Sequence, residues 1–196
     1  MGGLFFFLAF LIVGAFFLFG YAARLMRNVV AGVQNPLPEW DELGEYFGEG
    51  LQLFCIVLIY GSPIILLALM VGIPSAILSA AQSEDVRNIG GGVLGCAWCF
   101  IAPLGLAISF FLPGALLMAI VKRRFGAAFE FAAIWEFIRE NIGNYLLAIV
   151  VYIVARFFAG FGFILLRVGI VFTEFWAIVV YSYAFGQVYR LSEQKR

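Results

Sequence analysis

The chain contains no histidine, and only 12% of its residues are charged. Histidine is the commonest general base, the commonest transition-metal ligand and the usual switch near neutral pH, so its absence makes each of these functions less accessible. Twelve basic and twelve acidic residues cancel, and this balance gives no indication of a nucleic-acid partner. We therefore expect no enzyme activity, no cofactor and no nucleic acid.

Cysteine is also scarce: Cys55, Cys96 and Cys99 lie inside apolar runs. Cys96 and Cys99 have the CxxC spacing that is used in redox and metal sites. An apolar environment raises the pKa of a thiol, whereas redox chemistry needs an exposed thiolate with a lowered pKa. Small-residue packing between helices is therefore the favoured role, a redox or metal role is the alternative, and we predict no metal site.

Hydrophobic residues make up 64% of the chain and lie in long uncharged runs, over 2–22, 51–81 and 90–121. About 20 apolar helical residues cross the hydrocarbon core of a bilayer. The runs predict an all-α, polytopic transmembrane helical bundle, a single domain over 1–196 that has the lipid bilayer as its partner. The predicted spans are about 2–22, 51–80, 91–121, 145–163 and 168–189, with the last turn near 163–168.

The distribution of basic residues predicts the topology. Five spans with the N-terminus outside and the C-terminus in the cytoplasm leave only Arg87 and Arg167 outside, with Arg156 inside a span. The cytoplasmic segments then hold Arg24, Arg27, Lys122, Arg123, Arg124, Arg139, Arg190, Lys195 and Arg196. This asymmetry agrees with the positive-inside rule, and the inverted topology does not.

Four prolines interrupt the two longest runs. We expect kinks at Pro63 and Pro103, because proline removes a backbone hydrogen bond. Residues 72–75 are expected to end helix two and to begin a short segment along the outer interface. Broken helices can mark the substrate site of a transporter when they recur in both halves of the chain. Because the last two spans contain no proline, ordinary kinks are the favoured interpretation.

Two cytoplasmic segments, 43–49 and 134–140, align at an offset of 91 residues. Glu45 aligns with Glu136, and Glu49 aligns with Glu140. Each segment leads into a span, so we infer two parallel copies of one unit, an interfacial helix followed by a two-helix hairpin. The predicted interfacial helices are about 39–50 and 128–143.

Both segments are amphipathic at helical spacing. The predicted apolar faces are Trp40, Leu43, Phe47, Leu51 and Phe54 in the first copy, and Phe131, Ile134, Trp135, Ile138 and Ile142 in the second. Glutamates occupy the opposite faces. The favoured interpretation is a solvated face near basic residues of the same loops, and the alternative is a docking surface for a basic partner.

Arg156 and Glu174 are the predicted structural pair inside the membrane. An ionisable residue within a span is costly and is usually paired. Both residues lie about nine positions from the predicted turn, on neighbouring antiparallel helices, so we expect a salt bridge between them. An ion or proton relay is the alternative, but a relay needs a longer chain of titratable groups.

One motif is distinctive: Asn35, Pro36, Leu37, Pro38, Glu39, Trp40, Asp41 and Glu42 are consecutive. Together with 20–24, 50–51 and 185–190, it resembles the hallmark of an uncharacterised family of bacterial and archaeal integral membrane proteins, a domain of unknown function. The resemblance covers most of the chain. It implies the plasma membrane of a prokaryote and supplies neither an activity nor a site.

These observations favour a non-catalytic accessory or scaffold subunit of a membrane complex, with other membrane subunits docking on the cytoplasmic amphipathic helices. The alternative is a small transporter or channel, which the repeat and the kinked helices suggest. A polar cavity at mid-membrane would favour the alternative, and a packed apolar interior would oppose it. A membrane-embedded enzyme is the third class, and it needs clustered reactive side chains that this sequence does not provide.

Overall fold

The computed structural model describes residues 2–81, 83–160 and 168–194, with side chains over 13–81, 83–160 and 173–194. Over these residues the chain forms six α-helices, one 3-10 helix (Phe125–Phe129) and no strand, which confirms the predicted all-α fold. The predicted turn near 163–168 begins in residues outside this description. The helices are α1 (Gly2–Val30), α2 (Leu43–Ser79), α3 (Glu84–Lys122), α4 (Phe131–Glu140), α5 (Ile142–Gly160) and α6 (Val168–Glu193).

Three helices within the described residues, α2, α3 and α5, are long and apolar enough to cross a membrane. This is fewer than the five predicted spans. The other two predicted spans fall in α1 and α6, and both include side chains that lie outside the described part of the chain. The three helices indicate a membrane protein.

Large apolar side chains on these helices point away from the protein. The most exposed are Met70, Phe100, Leu106, Ile77 and Phe157. Such contiguous apolar surface would drive association or aggregation in water. In a bilayer it is the ordinary surface of a spanning helix, because lipid tails are as apolar as the side chains that contact them.

The chain divides into two compact units, Val57–Leu112 and the combination of Met1–Ile56 with Pro113–Arg196. The first is a hairpin of the later part of α2 and the earlier part of α3. Near its turn, a Cβ on Gly90 would lie 2.8 Å from Ser79 Oγ and 2.9 Å from the Ser79 backbone nitrogen, so only glycine fits there. The single domain over 1–196 stays a prediction.

The two prolines of α2 do not end the helix. The expected helix end at 72–75 is wrong, since α2 contains both Pro63 and Pro74 and continues to Ser79. Pro63 cannot donate to the carbonyl of Ile59, and the hydroxyl of Ser62 donates to that carbonyl at 2.8 Å instead. Serine and threonine side chains are among the groups that re-satisfy backbone freed by proline in membranes.

The second unit is held together by close crossings of α1 with α2 and α6. A Cβ on Gly20 would overlap the backbone of Tyr46, and one on Gly50 would overlap the backbone carbonyl of Phe16. Gly186 of α6 also lies close to α1, where an added Cβ would be 2.9 Å from the Val29 side chain. Small residues at helix crossings let backbones approach, which is a common packing device in membranes.

The two predicted interfacial helices differ in the structure. The first, 39–50, is not a separate element: residues 39–42 are not helical, and Leu43 begins α2, which continues unbroken into the apolar run. Gly50, between the acidic segment and the apolar run, does not interrupt the helix. The second, 128–143, contains the separate helix α4, which ends at Glu140 and is capped by Asn141; the backbone and side-chain amides of Asn141 both donate to the Phe137 carbonyl.

Candidate functional site

The proline-rich motif is a loop that folds back onto α1. The side-chain amide of Asn28 donates to the Pro36 carbonyl at 2.9 Å, and the hydroxyl of Tyr46 donates to the Glu39 carbonyl at 2.5 Å. Trp40 stacks on Tyr21 with ring centroids 4.5 Å apart. The loop is therefore fixed at its start, middle and end by side chains of α1 and α2.

Most motif side chains remain exposed. Pro36 and Pro38 are half-buried, whereas Asn35, Leu37, Glu39, Trp40 and Asp41 are exposed. The contacts of the motif are made by its backbone carbonyls, by the ring of Trp40 and, at its last residue, by the Glu42 carboxylate. The motif thus connects α1 to α2 in one conformation, and its polar side chains do not converge on a common point.

The glutamates at the start of α2 face the arginines of α1. Arg24 forms ion pairs with Glu42 at 2.6 Å and with Glu45 at 3.0 Å, and Arg27 pairs with Glu49 at 2.7 Å. The spacing carries a signal for this: Arg24 and Arg27 are one helical turn apart, as are Glu45 and Glu49. Sequence reasoning placed all of these residues in the cytoplasm but did not pair them.

The expected arrangement of this segment, with the glutamates near basic residues and the apolar side chains towards the surroundings, agrees with the structure. Its glutamates lie beside the arginines of α1 and remain partly exposed, Tyr46 and Gly50 are buried, and Leu43, Phe47 and Leu51 are exposed. Carboxylates that are already paired with arginine offer little to a basic partner. The favoured expectation, an acidic face near basic residues, fits this segment better than a docking surface.

Helix α4 has a buried side that fixes it to the protein. Ile134, Phe137 and Ile138 are buried, and the Phe137 ring stacks on Tyr189 of α6 at 5.7 Å. Gly114 of α3 leaves space for Ile134, since a Cβ there would lie 3.2 Å from the Ile134 side chain. The predicted apolar face is divided: Ile134 and Ile138 lie inside, whereas Phe131, Trp135 and Ile142 are exposed.

The outward side of α4 mixes aromatic and charged groups. The side chains of Phe131 and Trp135 are 57% and 46% exposed. Glu136 and Arg139 are exposed on the same helix, and neither forms an ion pair within the described part of the chain. We call these four residues the α4 outer face.

A small charged cluster precedes α4. Glu130 accepts from Lys122 Nζ at 2.7 Å and from Arg124 Nη2 at 2.8 Å. The hydrogen bond from Lys122 and the positive charge of both bases lower the pKa of the Glu130 carboxyl below its usual value. Arg123, between the two bases, has a positive φ of 49°, which turns the chain from α3 into the 3-10 helix.

Arg156 and Glu174 are brought together between α5 and α6. Arg156 Nη1 donates to Glu174 Oε2. Beside this pair, the Thr173 hydroxyl donates to the Ala159 carbonyl at 3.0 Å. Ala155, Ala159 and Ala177 form a buried cluster where the helices meet, so small side chains hold α5 and α6 close enough for the two charged groups to touch.

The cysteines offer no assembled site. Cys96 and Cys99 are exposed in α3, Cys55 is half-buried in α2, and all three are free thiols. Cys99 Sγ lies 3.7 Å from the carbonyl of Gly95, one turn earlier in the same helix. Among the described residues, no group of three or more Cys, Asp or Glu side chains could hold a metal ion.

A cavity lies inside the second unit, next to Pro113 of α3. Its volume is about 20 Å³, close to the space that one water molecule needs. Its walls are apolar, apart from Tyr181. They comprise Phe19, Ala22, Met26, Leu53, Pro113, Leu116, Ile120, Tyr181 and Phe185. This cavity is too small and too apolar to hold a polar solute.

Comparison with known proteins places the chain in a family. The model of the family DUF4013, described as a protein of unknown function, matches residues 3–185. The chain therefore belongs to this family, which confirms the predicted membership in a family of unknown function. No match was found among curated proteins or among solved structures.

Proposed function

We propose that this member of DUF4013 is a non-catalytic accessory or scaffold subunit of a membrane complex. It resides in the plasma membrane of a prokaryote, with its N-terminus outside and its C-terminus in the cytoplasm. The observation that carries the proposal is the α4 outer face. Phe131 and Trp135 are exposed on a short helix whose other side is fixed to the protein, so the surface is presented in one orientation.

Aromatic residues and arginine are enriched in protein interfaces, and a preorganised surface loses little entropy on binding. Glu136 and Arg139 add polar groups at the edge of the surface, outside the described ion pairs. The occupant is a membrane subunit that presents a basic side chain to Glu136. The acidic residues of α2, by contrast, are already paired with Arg24 and Arg27 and do not support docking.

The alternative of a small transporter or channel receives less support. The proline-containing α2 remains helical as far as Ser79, so residues 72–75 do not provide unwound backbone that could coordinate an ion.

The test is purification from the native membrane in a mild detergent, followed by mass spectrometry of the proteins that remain bound. We expect stoichiometric foreign subunits with the wild type, and their loss with Trp135→Ala or Glu136→Arg. The matched controls are Leu147→Ala, which shortens an exposed apolar side chain of α5, and Glu84→Arg, which reverses an exposed charge at the start of α3. Both should retain the subunits.

Recovery of the wild type alone, or as a homo-oligomer, would contradict the proposal. In that case solute flux into vesicles reconstituted with the full chain becomes the decisive measurement. Loss of the subunits in both control variants as well would also contradict a docking role for α4.

A further inference from the structure

The ion pair between Arg156 and Glu174 lies within the apolar part of α5 and α6. Arg156 is fourteen residues after Ile142, a rise of about 21 Å. A hydrocarbon core about 30 Å thick therefore places the pair closer to the leaflet at the Gly160 end of α5. In the proposed topology this is the outer leaflet.

The pair is not covered by the protein. The side chain of Arg156 is 49% exposed and that of Glu174 is 35% exposed. Charged side chains within spans almost always face the bundle interior or a water-filled cavity, where other polar groups can contact them. This pair instead faces the surroundings of the α5–α6 helix pair, so lipid molecules compete for its remaining hydrogen-bonding positions.

The hydrogen-bonding positions that the ion pair leaves open are of two kinds, donors and an acceptor. The guanidinium of Arg156 has five N–H donors, and its contact with Glu174 uses Nη1. The carboxylate of Glu174 uses Oε2, which leaves Oε1 as a second acceptor. The exposed side of the pair thus presents several donors beside one acceptor, and the pair has no net charge.

We propose that Arg156 and Glu174 form a binding site for the headgroup of a zwitterionic phospholipid that carries a primary amine. The lipid phosphate accepts from the guanidinium, whose planar donors match two phosphate oxygens. The lipid ammonium donates to Glu174 Oε1. A quaternary ammonium headgroup has no N–H, so it satisfies the arginine but not the carboxylate.

The surrounding side chains suit the boundary between headgroups and acyl chains. Tyr152 and Phe157 of α5 and Trp176 of α6 are exposed on the same two helices. Tyrosine and tryptophan are enriched at this boundary, where one end of the ring is apolar and the other is polar. Arginine reaches towards headgroups, and the bilayer thins around it, so the lipid phosphate can meet the guanidinium below the usual headgroup plane.

The experiment uses the full chain, purified and exposed to mixed micelles of detergent with equal amounts of phosphatidylethanolamine and phosphatidylcholine. Native mass spectrometry counts the lipids that remain bound. We expect retention of phosphatidylethanolamine over phosphatidylcholine by at least about fivefold, which corresponds to about 1 kcal/mol. Glu174→Gln should abolish this preference while retaining lipid, and Arg156→Gln should reduce retention of both lipids.

Arg156→Lys keeps the charge and should give intermediate retention, which separates lipid binding from a loss of fold. Arg87→Gln, an exposed arginine of the hairpin unit, is the matched control and should leave the preference unchanged. Circular dichroism of each variant reports helix content. Addition of millimolar inorganic phosphate should not displace the lipid.

Several results would overturn the proposal. Equal retention of the two lipids by the wild type would show that Glu174 does not bind the lipid ammonium. Displacement by inorganic phosphate would identify a free anion as the ligand. A wild-type dimer that dissociates on Arg156→Gln, without bound lipid, would show that a second copy of the chain covers the pair.

Discussion

Two segments that align in the sequence, 43–49 and 134–140, are used in opposite ways by the structure. In the first, Glu45 and Glu49 face α1 and pair with its arginines, while the apolar side is exposed. In the second, apolar residues face the protein, and Glu136 lies on the exposed side. The first segment is the beginning of a long helix, whereas the second is a separate helix.

The difference follows from the neighbours of each segment. Arg24 and Arg27 lie opposite the first, so its glutamates gain partners when they face inwards. Tyr189 and Gly114 lie opposite the second, and they offer an aromatic ring and a space for apolar side chains. A similar pattern of acidic and apolar residues therefore does not determine which side is buried; the facing helix does.

The largest loss of unfolding free energy is expected where the backbone of the first segment contacts that of α1. Gly50→Ala places a Cβ onto the Phe16 backbone carbonyl and forces α1 and α2 apart. We expect the free energy of unfolding to fall by about 3 kcal/mol, measured by denaturant titration in micelles. The control is Gly48→Ala, where an added Cβ meets nothing within 4 Å. That variant should be neutral or stabilised by up to about 1 kcal/mol, because alanine is the better helix former.

Similar losses for the Gly50 and Gly48 variants would mean that α1 and the start of α2 are not in backbone contact.

An intermediate loss of unfolding free energy is expected when an arginine that is paired and largely buried is replaced, in comparison with an exposed one. The Arg27 side chain is 14% exposed and pairs with Glu49, so Arg27→Gln should cost about 2 kcal/mol of unfolding free energy. Arg139→Gln, on the exposed side of α4, should change it by less than about 0.5 kcal/mol. The double variant Arg27→Gln with Glu49→Gln should recover part of the loss, because it leaves no unpaired charge. Additive losses in this cycle would contradict the pairing.

The smallest effect concerns Glu130, before α4. Its pKa is lowered in the folded protein, so its ion pairs stabilise the fold at a pH above the unfolded value of about 4.5. This contribution is lost as the pH falls through the lowered pKa. Glu130→Gln should therefore lower the unfolding temperature slightly at pH 7, and its difference from the wild type should shrink towards pH 3. A difference that is constant with pH would exclude the charge of Glu130 as its source.

The sequence predicted what depends on local composition. The long uncharged runs predicted an all-α fold with long apolar helices, and the predicted membership in a family of unknown function is confirmed. The spacing of Arg156 and Glu174 from a turn anticipated that they lie opposite one another. Each of these features can be read within one segment or from one simple antiparallel pairing.

Features that depend on a third helix could not be read from the sequence. The division of the apolar face of α4, with Trp135 outside and Phe137 inside, depends on where Tyr189 lies. The hydrogen bond from the Ser62 hydroxyl to the Ile59 carbonyl, beside Pro63, is likewise visible only in the structure. The roles of Gly20 and Gly50 appear only once two backbones are seen to cross.

The lengths of the helices have a consequence for the membrane around the protein. The uncharged part of α2, residues 51–79, rises about 43 Å. A hydrocarbon core of about 30 Å is too thin for this segment when it stands upright. Hydrophobic mismatch of this kind is relieved by tilt, bending or local thickening, at a cost of a fraction of a kcal/mol per Å. Acyl-chain length is thus a variable to which the tilt or bending of α2 is expected to respond.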